Sequence, residues 1–108
     1  MTTITNNEFP EGSIDSKSCL VLFGNQQCNV CTALKLKLQT VIEEKLPEVK
    51  LLYVDTQINP ILAANHTIFT APVIAFFSHQ REYHRWVRSF SIKEIIDYCN
   101  RMLEIQNS

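Results

Sequence analysis

The strongest constraint on this chain is the pair Cys28 and Cys31, set between an apolar run, Cys19-Leu20-Val21-Leu22-Phe23, and a long helical pattern. Both cysteines therefore fall where a buried strand hands over to a helix N-terminus. A helix start presents N–H groups without intrahelical partners and the positive end of the macrodipole. That environment favours thiolate over thiol, and the thiolate is the reactive form. Two cysteines on one helical turn can also close a disulfide, so one can attack and the other resolve in dithiol–disulfide exchange. Two other readings fit the same spacing: half of a zinc site, or an inert structural pair. A zinc site ordinarily needs a second C-x-x-C or paired histidines. Cys19, Cys99, His66, His79 and His84 are scattered singly.

At 108 residues there is room for one domain with a modest core. A hydrophobic fraction of 45% and a charged fraction of 19% are ordinary for a globular protein. A net charge of −1 sets up no global field towards nucleic acid or anionic lipid, so neither is an expected partner. Met1 to Glu8 carry no basic region and no apolar stretch of a secretory signal. No apolar run approaches the length of a bilayer span. The expectation is a soluble cytoplasmic protein whose four cysteines are reduced at rest, any disulfide being transient and catalytic. With two glycines, turns that need positive φ must be made by other residues.

Residues 1–18 are polar and predict an irregular or short-helical lead-in, with Ile4, Phe9 and Ile14 as its only docking residues. Residues 19–23 predict a strand covered on both faces, because its apolar residues do not alternate with polar ones. From Val30 the apolar positions 30, 33, 34, 38, 41 and 42 mark one face of an amphipathic helix, which Pro47 ends near Leu46. Val49 to Asp55 is a second strand, parallel to the first through the helical crossover. Asn59-Pro60 reads as an N-cap followed by Pro at the first helical position, opening a short helix to about Asn65. Val73–Phe77 and Arg81–Val87 form an antiparallel hairpin across Ser78-His79-Gln80, the second arm being a charged edge strand. Ser91-Ile92-Lys93-Glu94 is a capping box, with Phe90 and Ile95 at the staple positions, and the last helix runs to about Leu103. The order is β-α-β-α-β-β-α, an α/β fold with a central mixed sheet of about four strands. Lead-in 1–18 and domain 19–108 make a single unit.

Cys28-Asn29-Val30-Cys31 after the first strand of a β-α-β unit, Val54-Asp55 running to Pro60, and Ala71-Pro72 opening a hairpin and a final helix together resemble the thioredoxin family. The resemblance covers about Cys19 to Leu103. It implies a thioredoxin-like fold and thiol–disulfide oxidoreductase activity, with Cys28 as the exposed attacking nucleophile and Cys31 as the partly buried resolving thiol. Pro72 would hold a cis peptide bond, and the Ala71 backbone would pair with an extended substrate segment. Gln27 stands where thioredoxins carry Trp, and Arg88 stands where a groove-lining Gly is usual, so both belong to the expected substrate groove. The position of the family's buried Asp is Leu22, and its Lys partner falls at Leu51. Arg88 would lower the pKa of Cys28 or select an acidic partner.

The resemblance implies no resident metal or organic cofactor, disulfide-containing protein substrates, electrons from a thioredoxin reductase or glutathione, and a monomer. A thioredoxin-fold binding module with little turnover is the alternative. A thiolate metal site at Cys28 and Cys31, shared across a dimer, is a third reading.

Cys19 and Cys99 read as small core residues. His66 reads as a surface residue at a helix end, and Asp55 as a loop anchor. The segment His79, Arg81, His84, Arg85 and Trp86 reads as a solvated edge strand rather than a nucleic-acid surface.

Overall fold

A computed structural model describes residues 1–107. Ser108, the end of the expected domain, lies outside the described residues. The elements in chain order are β1 (Thr2–Ile4), β2 (Cys19–Gly24), α1 (Asn29–Lys45), β3 (Lys50–Asp55), α2 (Pro60–Asn65), β4 (Val73–Ser78), β5 (Arg81–Val87) and α3 (Ile92–Gln106). They build one five-stranded mixed sheet in the order β1-β3-β2-β4-β5. The thioredoxin-like α/β layout expected from the residues is the one observed. β2 and β3 are parallel, joined through α1, while β4 runs antiparallel to β2 and β5 antiparallel to β4.

Strand alternation divides the core in two. One face presents Leu20, Leu22, Leu51, Tyr53, Ile74, Phe76 and Trp86 to α1 and α3. The other presents Val21, Phe23, Leu52, Val54, Val73, Ala75 and Phe77, and α2 covers it with Leu62 and Ala63. β2 and β4 are buried along their whole length, which is why neither shows an alternating pattern.

The lead-in expected over residues 1–18 is corrected at its start. Thr2–Ile4 pairs parallel with β3, Ile4 opposite Val54, and Ile4 is buried. A three-residue strand with one apolar side chain carries no readable period; the free edge of β3 decides its conformation. The face of α1 is also shifted. Val30 and Ala33 are exposed, and the buried row is Cys31, Leu38 and Ile42 with Leu34 partly covered. Turning Cys31 inward sets that phase. α3 carries the full capping box at Ser91 and Glu94 and runs one turn past Leu103. There Gln106 accepts a hydrogen bond from the Ser18 hydroxyl at 2.8 Å and donates to the Lys17 carbonyl at 2.7 Å.

The ends of α2 are built from elsewhere. Asn59 makes no side-chain cap. Its fully buried amide donates to the carbonyls of Ile4 and Asp55 and accepts from the Asn7 N–H. Asn7 is the cap: its Oδ1 accepts the N–H groups of Ile61 at 2.9 Å and Leu62 at 3.2 Å. His66 is half-buried rather than the surface residue expected at this helix end, its ring edge-on to Phe9 at 5.3 Å and Phe77 at 5.7 Å. Burial holds His66 below its ordinary value of 6.5.

β5 is an edge strand whose charges are locally engaged. Arg85 forms two hydrogen bonds to Glu82, each 2.8 Å, and donates to the carbonyls of His66 and Thr67. His84 and Trp86 pack against Tyr98 of α3. The β4–β5 turn places His79 and Gln80 at φ of 51° and 72°, the left-handed conformations that a two-residue hairpin turn requires.

Candidate active site

The sheet end formed by the C-termini of β2 and β3 and the N-terminus of β4 carries the two cysteines. β2 closes at Gly24, and Asn25 turns the chain, its Oδ1 accepting the Gln27 N–H at 3.0 Å. Cys28 is the N-cap of α1, with extended φ and ψ of −95° and 104°. Its sulfur accepts the Cys31 N–H at 3.2 Å, the bond that a Ser or Asp oxygen makes at an ordinary helix start. No carboxylate occupies the first turn of α1, so nothing on the helix itself offsets the positive end of its dipole.

Cys28 and Cys31 are joined as a disulfide, with Cα atoms 5.2 Å apart. Cys28 is half-exposed, whereas Cys31 is fully buried, deeper than the partial burial expected of it. The close approach of Cys31 explains a residue that sequence reading passed over. A Cβ on Gly24 would stand 2.9 Å from the Cys31 Cβ and 3.1 Å from its sulfur. Only a residue without a side chain fits there. A glycine directly between a strand and a candidate motif was the available signal.

The other expected site residues reach the same end by different routes. The Ala71–Pro72 peptide bond is cis. Phe23 pairs with Val73, so Pro72 follows on beside the strand end that leads to Cys28. Arg88 lies one residue past β5, and its N–H donates to the Pro72 carbonyl at 3.0 Å. Its φ is 59°, a left-handed conformation, and its side chain is exposed. Glycine adopts that φ without strain, whereas a residue with a side chain rarely does. Gln27 is exposed, and its Oε1 accepts from Gln57 Nε2 at 3.0 Å, tying the loop before Cys28 to the turn after β3. Asp55 anchors that turn: its Oδ1 accepts the N–H groups of Gln57 at 2.8 Å and Ile58 at 3.2 Å.

Leu22 is fully buried and Leu51 nearly so. A second residue missed from the sequence is Tyr53, opposite Leu22 in the β2–β3 register. Its phenol oxygen would lie 3.2 Å from a Gly24 Cβ. Lys35 of α1 holds its ammonium 4.2 Å above the Tyr53 ring instead of facing water. The signal for Tyr53 was a polar-tipped aromatic in an otherwise aliphatic strand.

Cys19 and Cys99 are fully buried, in different halves of the core. Burial pushes both thiols up to about 12. Among the described residues, no three His, Cys, Asp or Glu side chains gather where they could hold a metal ion. Among the same residues, no helix is long and apolar enough to cross a membrane.

A disulfide at a strand-to-helix junction, beside a cis-proline loop on a mixed sheet, defines a thioredoxin-type protein. The sequence model of the thioredoxin family matches residues 1–101, and the chain belongs to that family. Among solved structures it is similar to thioredoxin 1 of the thermophilic eubacterium Thermosipho africanus TCF52B. The two are 32% identical with a TM-score of 0.76, the match covering 83% of this chain and 99% of that one. The Fasciola hepatica thioredoxin, 19% identical, superposes with a TM-score of 0.78 over 94% of this chain and 99% of its own. The latter shows likeness of fold alone. No match was found among curated proteins. Family and cysteine pair support a thiol–disulfide oxidoreductase as the general class.

Proposed function

We propose that this protein reduces disulfides, with Cys28 as nucleophile and Cys31 as resolving thiol. The observation that carries the reading is the asymmetry of the pair. Cys28 is accessible and caps α1, where N–H groups and the dipole favour its thiolate, while Cys31 is fully enclosed. A substrate can reach only the first sulfur. Cys28 thiolate attacks the substrate disulfide, a mixed disulfide forms, and Cys31 displaces the reduced product. In a reducing compartment such as the cytoplasm the dithiol is the resting form, so net turnover reduces the substrate. A thioredoxin reductase or glutathione would return the electrons.

Ala71, Pro72, Gln27 and Arg88 would line the substrate groove. Arg88 supports this through its backbone: a side-chain-bearing residue held at φ 59° is a strained choice, and such strain gathers at functional positions. A cation there suits substrates with acidic residues near the disulfide.

A binding module with little turnover is the second reading, favoured by the buried Leu22, which stands at the position of the family's carboxylate. Insulin reduction in the presence of dithiothreitol separates the two. Turnover by the native chain and none by Cys28→Ser is the expected result. Native activity no faster than dithiothreitol alone, with a Cys28–Cys31 couple inert in glutathione buffers, would put the binding module first.

A further inference from the structure

Tyr53 is a buried titratable group beside the disulfide, and the exchange reaction as described leaves it without a role. The difficulty it bears on is deprotonation of Cys31. This thiol must lose a proton to attack the mixed disulfide, yet it is fully buried, burial disfavours its thiolate, and the residue at the family's carboxylate position is Leu22. Leu22 can accept nothing. The Tyr53 phenol oxygen and the Cys31 sulfur flank the bare side of Gly24, 3.2 Å and 3.1 Å from the point where its Cβ would stand. Tyr53 and Asp55 also line one cavity of about 280 Å³ with Thr32 and Lys35, which is roomy enough for water. Asp55 anchors its turn through Oδ1, and among the described residues no hydrogen bond reaches its Oδ2.

We propose that the Tyr53 hydroxyl carries the proton between Cys31 and the Asp55 carboxylate. The proposal rests on Cys28 and Cys31 being an exchange pair. Attack of the Cys28 thiolate on a substrate disulfide first expels one substrate thiolate and leaves Cys28 bonded to the other sulfur. The Cys31 S–H proton then passes to the Tyr53 oxygen as the phenol's own proton moves, through cavity water, to Asp55. The Cys31 thiolate attacks the Cys28 sulfur, and the bond from Cys28 to the substrate sulfur breaks. The second substrate thiolate leaves with the bonding pair. The protein dithiol is oxidised to the disulfide, the substrate disulfide is reduced, and Asp55 releases its proton to solvent.

The charged and titratable groups around Tyr53 are few. Lys35 and Cys31 approach from α1 and Asp55 from β3 itself, while Thr3 of β1 and Leu22 and Gly24 of β2 do not titrate. Burial, then the Asp55 carboxylate, raises the phenol above its ordinary value of 10.0. Tyr53 is therefore protonated at neutral pH and relays a proton rather than storing one.

The test uses the reduced full chain and an equimolar nitrobenzoate disulfide whose released thiolate is coloured. The first release follows attack by Cys28, the second resolution by Cys31. In Tyr53→Phe the second phase is expected to slow about tenfold near neutral pH, the gap closing as hydroxide takes over at high pH. The first phase, in which Cys31 takes no part, is the reference. Asp55→Asn keeps the Oδ1 acceptor for Gln57 and Ile58 and should slow the same phase. A second phase with native rate and pH profile in Tyr53→Phe overturns the proposal. Should that variant fail to fold, the same result in Asp55→Asn overturns it. Absence of a first phase in the unaltered chain would instead remove the exchange reading beneath it.

Discussion

Gly24 and Arg88 flank the Pro72 loop and put opposite demands on the side chain. Gly24 is required by space, because α1 brings the Cys31 Cβ to 2.9 Å from where its own would stand. The obstacle is a buried residue at a helix start, so relief means moving the reactive pair. Gly24→Ala should cost about 1–3 kcal/mol, the usual range for overpacking, and should also shift the Cys28–Cys31 equilibrium. Denaturant unfolding reads the first effect and a glutathione titration the second. If both stayed at native values, the start of α1 would be free to move and the argument for Gly24 would fail. Arg88 shows the reverse case, a large side chain kept where the backbone favours none. The strand-to-helix placement singled out Cys28 and Cys31, whereas Pro72 and Arg88 came into view only through the resemblance to the thioredoxin family. Neither singled out Gly24 or Tyr53, whose importance lies in what faces them across the sheet.

At the scale of elements, α2 shows how much a short helix owes to its neighbours. Six residues cannot hold a helix in water unaided, since nucleation costs more than so few bonds return. The N-terminal N–H groups are met by Asn7, and the C-terminal carbonyls by a double bond pattern. Thr67 N–H donates to the Ala64 carbonyl at 3.0 Å and Ile68 N–H to the Ala63 carbonyl at 2.9 Å. That arrangement demands a left-handed residue, ordinarily glycine, and Thr67 supplies it at φ 59°. Thr67→Gly should therefore stabilise the protein by about 1 kcal/mol, the cost of holding an L-residue there. Chemical denaturation checks it. A loss of stability would show that the Thr67 side chain makes up for its backbone. The helix itself was legible from Asn59-Pro60, but its cap was not, because Asn7 is brought to it only by the β1 segment.

For the molecule as a whole, the two remaining cysteines set a pH window. Burial pushes the Cys19 and Cys99 thiols from their ordinary value of 9.0 up to about 12, so the native state holds their protons more tightly. The stability this supplies is fully present below pH 9.0 and is lost as pH rises towards about 12. Unfolding midpoints across that range should fall, and a Cys19→Ala/Cys99→Ala protein should show a shallower decline. Equal slopes would place the alkaline lability elsewhere.

The order of strands and helices from Cys19 onward, the junction that holds Cys28 and Cys31, and the capping box of α3 were determined by the sequence alone. Each is a local pattern, set by a helical or strand period or by contacts within four residues. The tertiary structure decided the rest: the pairing of Thr2–Ile4 with β3, the Asn7 cap on α2, the inward turn of Cys31, and the placing of Tyr53 beside it. Those features join residues far apart in the chain. No local period records such a contact, and it forms only when packing the two faces of the sheet brings the partners together.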